Sequence, residues 1–201
     1  MSKKIIAIFG GSFNPPINSH VSLAKSIIEK VENIEKVIFV PVSTKYQKQD
    51  LASDEDRLNM LKIICKKNEK IEVSDVELKS KKQLYTIQTL NYFRKLYNNN
   101  QIFFVMGTDN LKEFETWKTP EKVLKDFKII VLERDKDNIE KIIRESKLLS
   151  NNKERIIRVE GINRINLSST NIRNKIKNKE NVEDYIDKDV YKYIKGNNLY
   201  T

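Results

Sequence analysis

The stretch from Gly10 to His20 reads GGSFNPPINSH. It holds two of the chain's five glycines, two of its four prolines and its only histidine. An apolar run, IIAIF, precedes it, and a helical pattern, HVSLAKSIIEKV, follows from His20. Gly10 and Gly11 at a strand end let backbone N–H groups approach a phosphate. Phe13 can anchor the turn in a core, and Pro15 and Pro16 stiffen it. His20 falls in the first turn of the helix, where partial positive charge and N–H groups suit a polyphosphate. An imidazole there can donate a hydrogen bond to a phosphoryl oxygen as negative charge develops. An isolated histidine would be read as a cap or a core residue; inside this turn the anion-binding reading takes precedence. LSSTNIR has the same character: Ser168, Ser169 and Thr170 offer hydroxyls at a helix start, and Arg173 stands one turn in. Such donors with an arginine form a phosphate clamp. Gly107 closes another apolar run, QIFFVMG, ahead of Asp109. The two common phosphate-loop patterns, GxxxxGK[ST] and GxGxxG, are missing from the sequence.

These sets need a scaffold that brings them to one edge. Apolar runs at KKIIAIFG, KVIFVPV, KIEVSDVEL, QIFFVMG, KIIVLER and ERIIRVEGI read as six strands. Helical patterns alternate with them: HVSLAKSIIEKV, SDEDRLNMLKIICKK, TIQTLNYFRKLY, TPEKVLKDF and DNIEKIIRESKLL. Ser53 with Asp56 starts the second helix, whose apolar stripe is expected to be Leu58, Leu61, Ile64 and Cys65. Thr119 is placed to cap the helix that begins at Pro120. SSTNIRNKIKN and VEDYIDKDVYKYIKG read as two closing helices. The strands are continuous apolar runs, so the sheet is expected to be covered on both faces. That pattern argues a parallel, doubly wound α/β sheet with a small C-terminal helical extension. In such a sheet ligands bind beyond the carboxyl ends of the strands, where the glycines fall.

Composition bounds the reading. The 201 residues suit one domain over 1–201, with the C-terminal helices from about 168. No apolar run approaches membrane-spanning length, and MSKKIIAIFGG is too short in its apolar part for a signal peptide, so a cytoplasmic location is expected. The single cysteine, Cys65, excludes an intrachain disulfide and reads as a core thiol. Lys and Arg number 38 against 28 Asp and Glu, a net charge of +10. A basic surface favours anionic partners, but the charges are scattered and mixed in sign, which argues for a solvated face and against nucleic acid. Nothing in the composition decides whether the chain forms a homo-oligomer.

GGSFNPPINSH, YTIQTL, FVMGTDNLKEFETW and LSSTNIR, in this order and spacing, resemble the nicotinate/nicotinamide mononucleotide adenylyltransferases. These belong to the nucleotidyltransferase superfamily with a Rossmann-like sheet, and the resemblance covers nearly the whole chain. It implies transfer of AMP from ATP to nicotinate mononucleotide with release of pyrophosphate, with Mg²⁺, in NAD biosynthesis. By motif position, His20 and Arg173 would be the catalytic groups. Gly10, Gly11, Ser12, Phe13, His20, Gly107, Asp109, Ser168, Ser169, Thr170 and Arg173 would bind ATP. Tyr85, Thr86 and Trp117 would line the pyridine pocket. Arg57, in RLNM, matches an R-x-x-M pattern of the family but reads equally as a surface helix residue. The family's H-x-G-H or T-x-x-H reads INSH here, so Ile17 replaces a group that can contact phosphate. Its Pro-Pro-His-Lys-like loop reads VPVSTKYQKQD, where Lys45 or Lys48 would supply the cation, and Gln88 stands for the acid of Y-T-x-D-T. The competing readings are another adenylyl- or cytidylyltransferase, such as a pantetheine-phosphate adenylyltransferase, and a non-catalytic nucleotide-binding protein.

Overall fold

The computed structural model describes residues 3–46, 50–133, 137–159 and 168–201. Its strands are β1 (Ile5–Gly11), β2 (Ile34–Pro41), β3 (Ile71–Val73), β4 (Gln101–Gly107), β5 (Lys128–Leu132) and β6 (Ile156–Arg158). Its helices are α1 (Asn18–Lys30), α2 (Asp54–Cys65), α3 (Val76–Lys79), α4 (Thr86–Leu96), α5 (Thr108–Lys112), α6 (Pro120–Asp126), α7 (Ile139–Glu145), α8 (Lys147–Ser150), α9 (Ser169–Lys177) and α10 (Lys188–Gly196). The strands form one sheet in the order β3-β2-β1-β4-β5-β6, every neighbouring pair parallel. The order reverses between β1 and β4, which is where a doubly wound sheet opens a crevice for ligands.

The period-2 geometry of β1 divides its side chains between two cores. Ile6 and Ile8 pack with Leu90, Phe93, Phe104 and Leu124 on one face. Ile5, Ala7 and Phe9 pack with Ala24, Ile27, Phe39 and Leu61 on the other. A strand buried on both faces must read as an unbroken apolar run, and IIAIF does. A third cluster joins α1 and α2 to the C-terminal helices through Ile17, Met60, Ile64, Ile172 and Val190.

Several expected elements differ. KIEVSDVEL was expected as one strand, but β3 pairs β2 only over Ile71–Val73, and the chain then turns into α3. Helix DNIEKIIRESKLL is broken at Ser146, whose Oγ accepts the Leu149 N–H at 3.0 Å and donates to Glu115. A serine that offers the backbone an alternative partner commonly ends a helix. The last helix starts at Lys188, capped by Asp187, not at Val182. Thr119 does not cap α6: it sits at φ 57°, and its Oγ1 is buried without a hydrogen-bond partner. The buried face of α2 is Arg57, Met60, Leu61 and Ile64, so Leu58 lies off the expected stripe. Cys65 is half-buried in the core, and burial pushes its thiol up to about 12, which keeps it protonated and unreactive.

Candidate active site

The turn after β1 is held from three sides. Phe13 adopts φ 46° with its ring buried against Phe39 (5.1 Å) and His20 (5.0 Å). A left-handed backbone at a non-glycine residue persists only where its surroundings enforce it. Gly11 makes room for that ring: a Cβ there would stand 3.0 Å from it. Asn14 is buried and anchors the turn, its Nδ2 donating to the Asp50 carbonyl (2.7 Å) and its Oδ1 accepting from Ala52 N–H (3.0 Å) and the Tyr200 hydroxyl (2.7 Å). From the C-terminal helices, Arg173 Nη1 donates to the Asn14 carbonyl (2.9 Å) and Ser169 Oγ to the Pro15 carbonyl (2.8 Å).

Arg57 supplies the third hold. Its side chain is 0% exposed. It donates from Nη1 to the Ser12 carbonyl (2.9 Å), from Nε to the Ala52 carbonyl (3.1 Å) and from Nη2 to Asp54 Oδ1 (2.5 Å). Asp54 also accepts from Thr44 N–H (2.7 Å) and Ser43 Oγ (3.0 Å), so one ion pair ties the loop after β2 to the turn after β1. Burial lowers the Arg57 pKa against the attraction of Asp54, but a guanidinium remains charged throughout.

His20 is the third residue of α1 and only 9% exposed. Its Nδ1 accepts the Ile17 N–H at 3.0 Å, which requires the ring proton to sit on Nε2. Ile17 itself does not reach the cavity. It is 3% exposed and packs with Met60, Ile64 and Ile172, so its side chain belongs to the C-terminal interface and not to a phosphate site.

A cavity of about 610 Å³ opens at the carboxyl ends of β1 and β4. Every expected nucleotide residue lines it: Gly10, Gly11, Ser12, Phe13, His20, Gly107, Asp109, Ser168, Ser169, Thr170 and Arg173. So do Tyr85, Thr86 and Trp117. Trp117 is packed edge-on to Phe104 (6.1 Å) and tilted against Phe114 (5.4 Å). Lys45 is not in the wall: it is exposed, and its Nζ donates to the Ser80 carbonyl at 2.5 Å. Lys48 lies outside the described residues. Gln88 turns away from the cavity and caps α4, its Oε1 accepting the Tyr85 N–H at 2.9 Å.

Sequence reasoning passed over two groups and left a third open. Arg57 matches the R-x-x-M pattern, but its reading as a surface helix residue is wrong: it is buried, and its i, i+4, i+7 spacing with Leu61 and Ile64 is the signal for that face. Asn14 carries no local signal, since its partners are 36 to 186 residues away. Glu77 was hidden in a segment expected to be strand. It lines the cavity, accepts from Thr89 Oγ1 (2.7 Å), and burial pushes its carboxyl up to about 7 against the opposing pull of that hydrogen bond.

Residues 8–175 match the cytidylyltransferase-like family. A protein of Clostridium tetani (strain Massachusetts / E88), titled "Probable nicotinate-nucleotide adenylyltransferase", is 33% identical over 202 residues, covering 100% of both chains. A Fusobacterium nucleatum protein of the same title is 37% identical over 191 residues, covering 94% of this chain and 96% of that one. The chain belongs to the nicotinate-nucleotide adenylyltransferase family. The fold agrees: the solved structure titled "Plasmodium falciparum nicotinic acid mononucleotide adenylyltransferase complexed with NaAD" superposes with a TM-score of 0.78 at 24% identity, covering 98% of this chain and 97% of that one. Family membership gives the sheet and the cavity a common explanation: the sheet-edge glycines, His20 and the α9 donors lie on one wall system with the Tyr85–Trp117 aromatic end.

Proposed function

We propose that this chain transfers AMP from ATP to nicotinate mononucleotide, releasing pyrophosphate. One observation carries the reading: a single cavity joins a polyphosphate-type end, with His20, Arg173 and the α9 hydroxyls, to an aromatic end with Tyr85 and Trp117. ATP lies along the turn after β1, its phosphates on the first turns of α1 and α9. The pyridine ring of the acceptor stacks on Trp117. An oxygen of the acceptor's 5′-phosphate attacks the α-phosphorus, and the bond from that phosphorus to the bridging oxygen breaks. Pyrophosphate leaves with the electron pair, and no covalent enzyme intermediate forms. Catalysis is then positioning plus charge stabilisation. His20, with its proton on Nε2, donates to the phosphate oxygens on which charge grows. Arg173 adds a second charged donor beside them.

Mg²⁺ fits this site as a companion of ATP. Among the described residues no group of three or more His, Cys, Asp or Glu side chains could hold a metal ion. The ion would therefore be carried by phosphate oxygens, with Asp109 as a carboxylate for its bound water, and it would neutralise charge on the triphosphate. No helix among the described residues is long and apolar enough to cross a membrane.

Incubation with Mg²⁺, ATP or CTP, and a panel of acceptors, following pyrophosphate release, tests the assignment. Nicotinate mononucleotide with ATP is expected to react fastest, with kcat/KM at least about tenfold above its amide, the scale of one mismatched donor. The acceptor's carboxylate takes the Thr86 N–H, since Gln88 already occupies the N–H of Tyr85. Equal values, or a preference for the amide, on the acid side, at about pH 6, would overturn the acceptor assignment; fastest turnover of another acceptor would overturn the function. Arg173→Lys keeps the charge and loses the planar fork. It is expected to raise the KM for ATP about tenfold with the mononucleotide KM little changed. A loss confined to the mononucleotide would mean the two ends of the cavity are assigned in reverse.

A further inference from the structure

Glu77 is a carboxyl in the wall of this cavity that the transfer of AMP does not use. It stands on α3, beside Thr89 on α4, and shares the cavity with Thr86, Leu90 and Trp117. Thr89 is buried and gives its hydroxyl proton to Glu77 Oε1 at 2.7 Å. Among the described residues no cation pairs with Glu77. Charged neighbours on the packed elements are engaged elsewhere. On α3, Lys79 pairs with Asp75 at 2.9 Å, and on β2, Lys36 pairs with Glu72 at 2.6 Å. Lys45 is bonded to the Ser80 carbonyl. The remaining ionisable groups nearby are Tyr85 at the N-cap of α4, Tyr92, Arg94 and Lys95 on that helix, of which Arg94 pairs with Asp126, and Asp109, Glu113 and Lys118 on the cavity wall. None of these charges contributes to the shift of the carboxyl, which comes from burial. An uncompensated carboxyl in a ligand cavity, with a proton affinity set by desolvation, is a group that a ligand's own charge can load or unload.

We propose that Glu77 is a specificity-determining residue of the acceptor end, donating a proton-bearing hydrogen bond to a pyridine carboxylate and accepting one from a pyridine carboxamide. Its protonation therefore sets the preference between the two. This rests on the reading of the Tyr85–Trp117 end as the acceptor site. The acid and amide acceptors differ only in that one substituent. An ionised Glu77 repels the carboxylate and accepts from the amide NH₂. A protonated Glu77 donates to the carboxylate, whose negative charge then holds the proton in place. Discrimination in favour of the acid is greatest at low pH and falls as Glu77 ionises, around neutrality.

The test is kcat/KM for nicotinate mononucleotide and for nicotinamide mononucleotide, with saturating Mg·ATP, from pH 5.5 to 8.5. The 5′-phosphate and His20 are common to both reactions and cancel in the ratio. The acid-to-amide ratio is expected to fall at least about tenfold across that range in the wild type, the weight of one charge-assisted hydrogen bond. It should be flat with pH in Glu77→Gln. Thr89→Val removes the hydrogen bond that favours the ionised form, so the inflection should move to higher pH, a displacement that a merely structural role would not produce. A wild-type ratio independent of pH, or the same dependence in Glu77→Gln, overturns the proposal while leaving the reaction intact. No turnover of either acceptor overturns the proposed function and the role of Glu77 with it. Where the amide is too slow for a ratio, calorimetry of nicotinate mononucleotide binding at pH 7.5 in buffers of different ionisation enthalpy decides. Proton uptake larger in the wild type than in Glu77→Gln supports the proposal, and equal uptake overturns it.

Discussion

His20→Ala is expected to lower kcat by about a hundredfold or more, the usual scale for losing one transition-state donor. The ring also packs: its centroid lies 5.0 Å from Phe13 and 6.4 Å from Phe9, so the alanine variant should lose about 1–2 kcal/mol of stability as well. His20→Phe separates the two effects. It keeps an aromatic ring against Phe13 and removes the Nε2 donor, together with the Nδ1 acceptor of the Ile17 N–H that the alanine also lacks. If the donor matters, both variants are slow and the alanine, which loses the ring packing as well, is the less stable of the two. If His20→Phe retains near-normal turnover, the histidine is a packing residue and the proton on Nε2 has no part in the reaction. Stopped-flow or coupled pyrophosphate assays with thermal melts on the same samples supply both numbers. The chain contains no other histidine, so no second imidazole can substitute.

The legible parts of the structure were those written locally. A strand covered on both faces must be apolar throughout, so β1, β2, β4 and β5 could be read directly, and the parallel sheet followed from their alternation with helices. The cavity residues were legible for a related reason: glycines, the histidine and the serine-threonine start of α9 sit at element ends, where a side chain's type reports the backbone's needs. What failed was decided by distant partners. β3 pairs β2 only over Ile71–Val73, opposite Val37–Phe39, although β2 runs on to Pro41, and no local pattern encodes where that pairing ends. The consequence reached the site, since the residues expected to extend that strand instead form α3 and bring Glu77 to the cavity.

Ile17 and Gln88 show the same limit at the level of single residues. Each stands where the motif resemblance implies a polar or acidic group, and so where a ligand contact is expected. Packing assigns them otherwise: Ile17 to the cluster under the C-terminal helices, Gln88 to the N-terminal cap of α4. Lys45 likewise spends its ammonium on the Ser80 carbonyl, outside the cavity wall. A motif fixes which position is occupied; whether the side chain faces the ligand depends on what the neighbouring elements leave open.

Arg57→Ala is expected to be strongly destabilising, by about 2–5 kcal/mol, because it empties a fully buried side-chain site and takes the cation from Asp54, which keeps only the Thr44 N–H and the Ser43 hydroxyl. It withdraws three hydrogen bonds at once, the one to the Ser12 carbonyl among them. The turn that carries Phe13 at φ 46° then loses one of the contacts that enforce it, and His20 moves with the turn. A displacement of about 1 Å at such a group costs on the order of a hundredfold in rate, so kcat should fall with stability. Arg57→Lys retains the charge but cannot reach three acceptors in one plane, and should fall between the wild type and the alanine in both measurements. Acid gives an independent reading of the same pair. Burial works to raise the Asp54 carboxyl, but the Thr44 N–H, the Ser43 hydroxyl and Arg57 together hold it below its ordinary value. A carboxyl depressed in the folded state contributes stability that is complete above the unfolded value and is lost as pH falls through the folded one. The wild type should therefore lose stability below about pH 4 more steeply than Asp54→Asn, which has no such carboxyl to protonate. Urea melts between pH 3 and 7 read this directly. Equal acid slopes in the two proteins, together with an Arg57→Lys variant as stable and as fast as the wild type, would show that the ion pair is incidental and that the turn after β1 is held by Asn14, Ser169 and Arg173 alone.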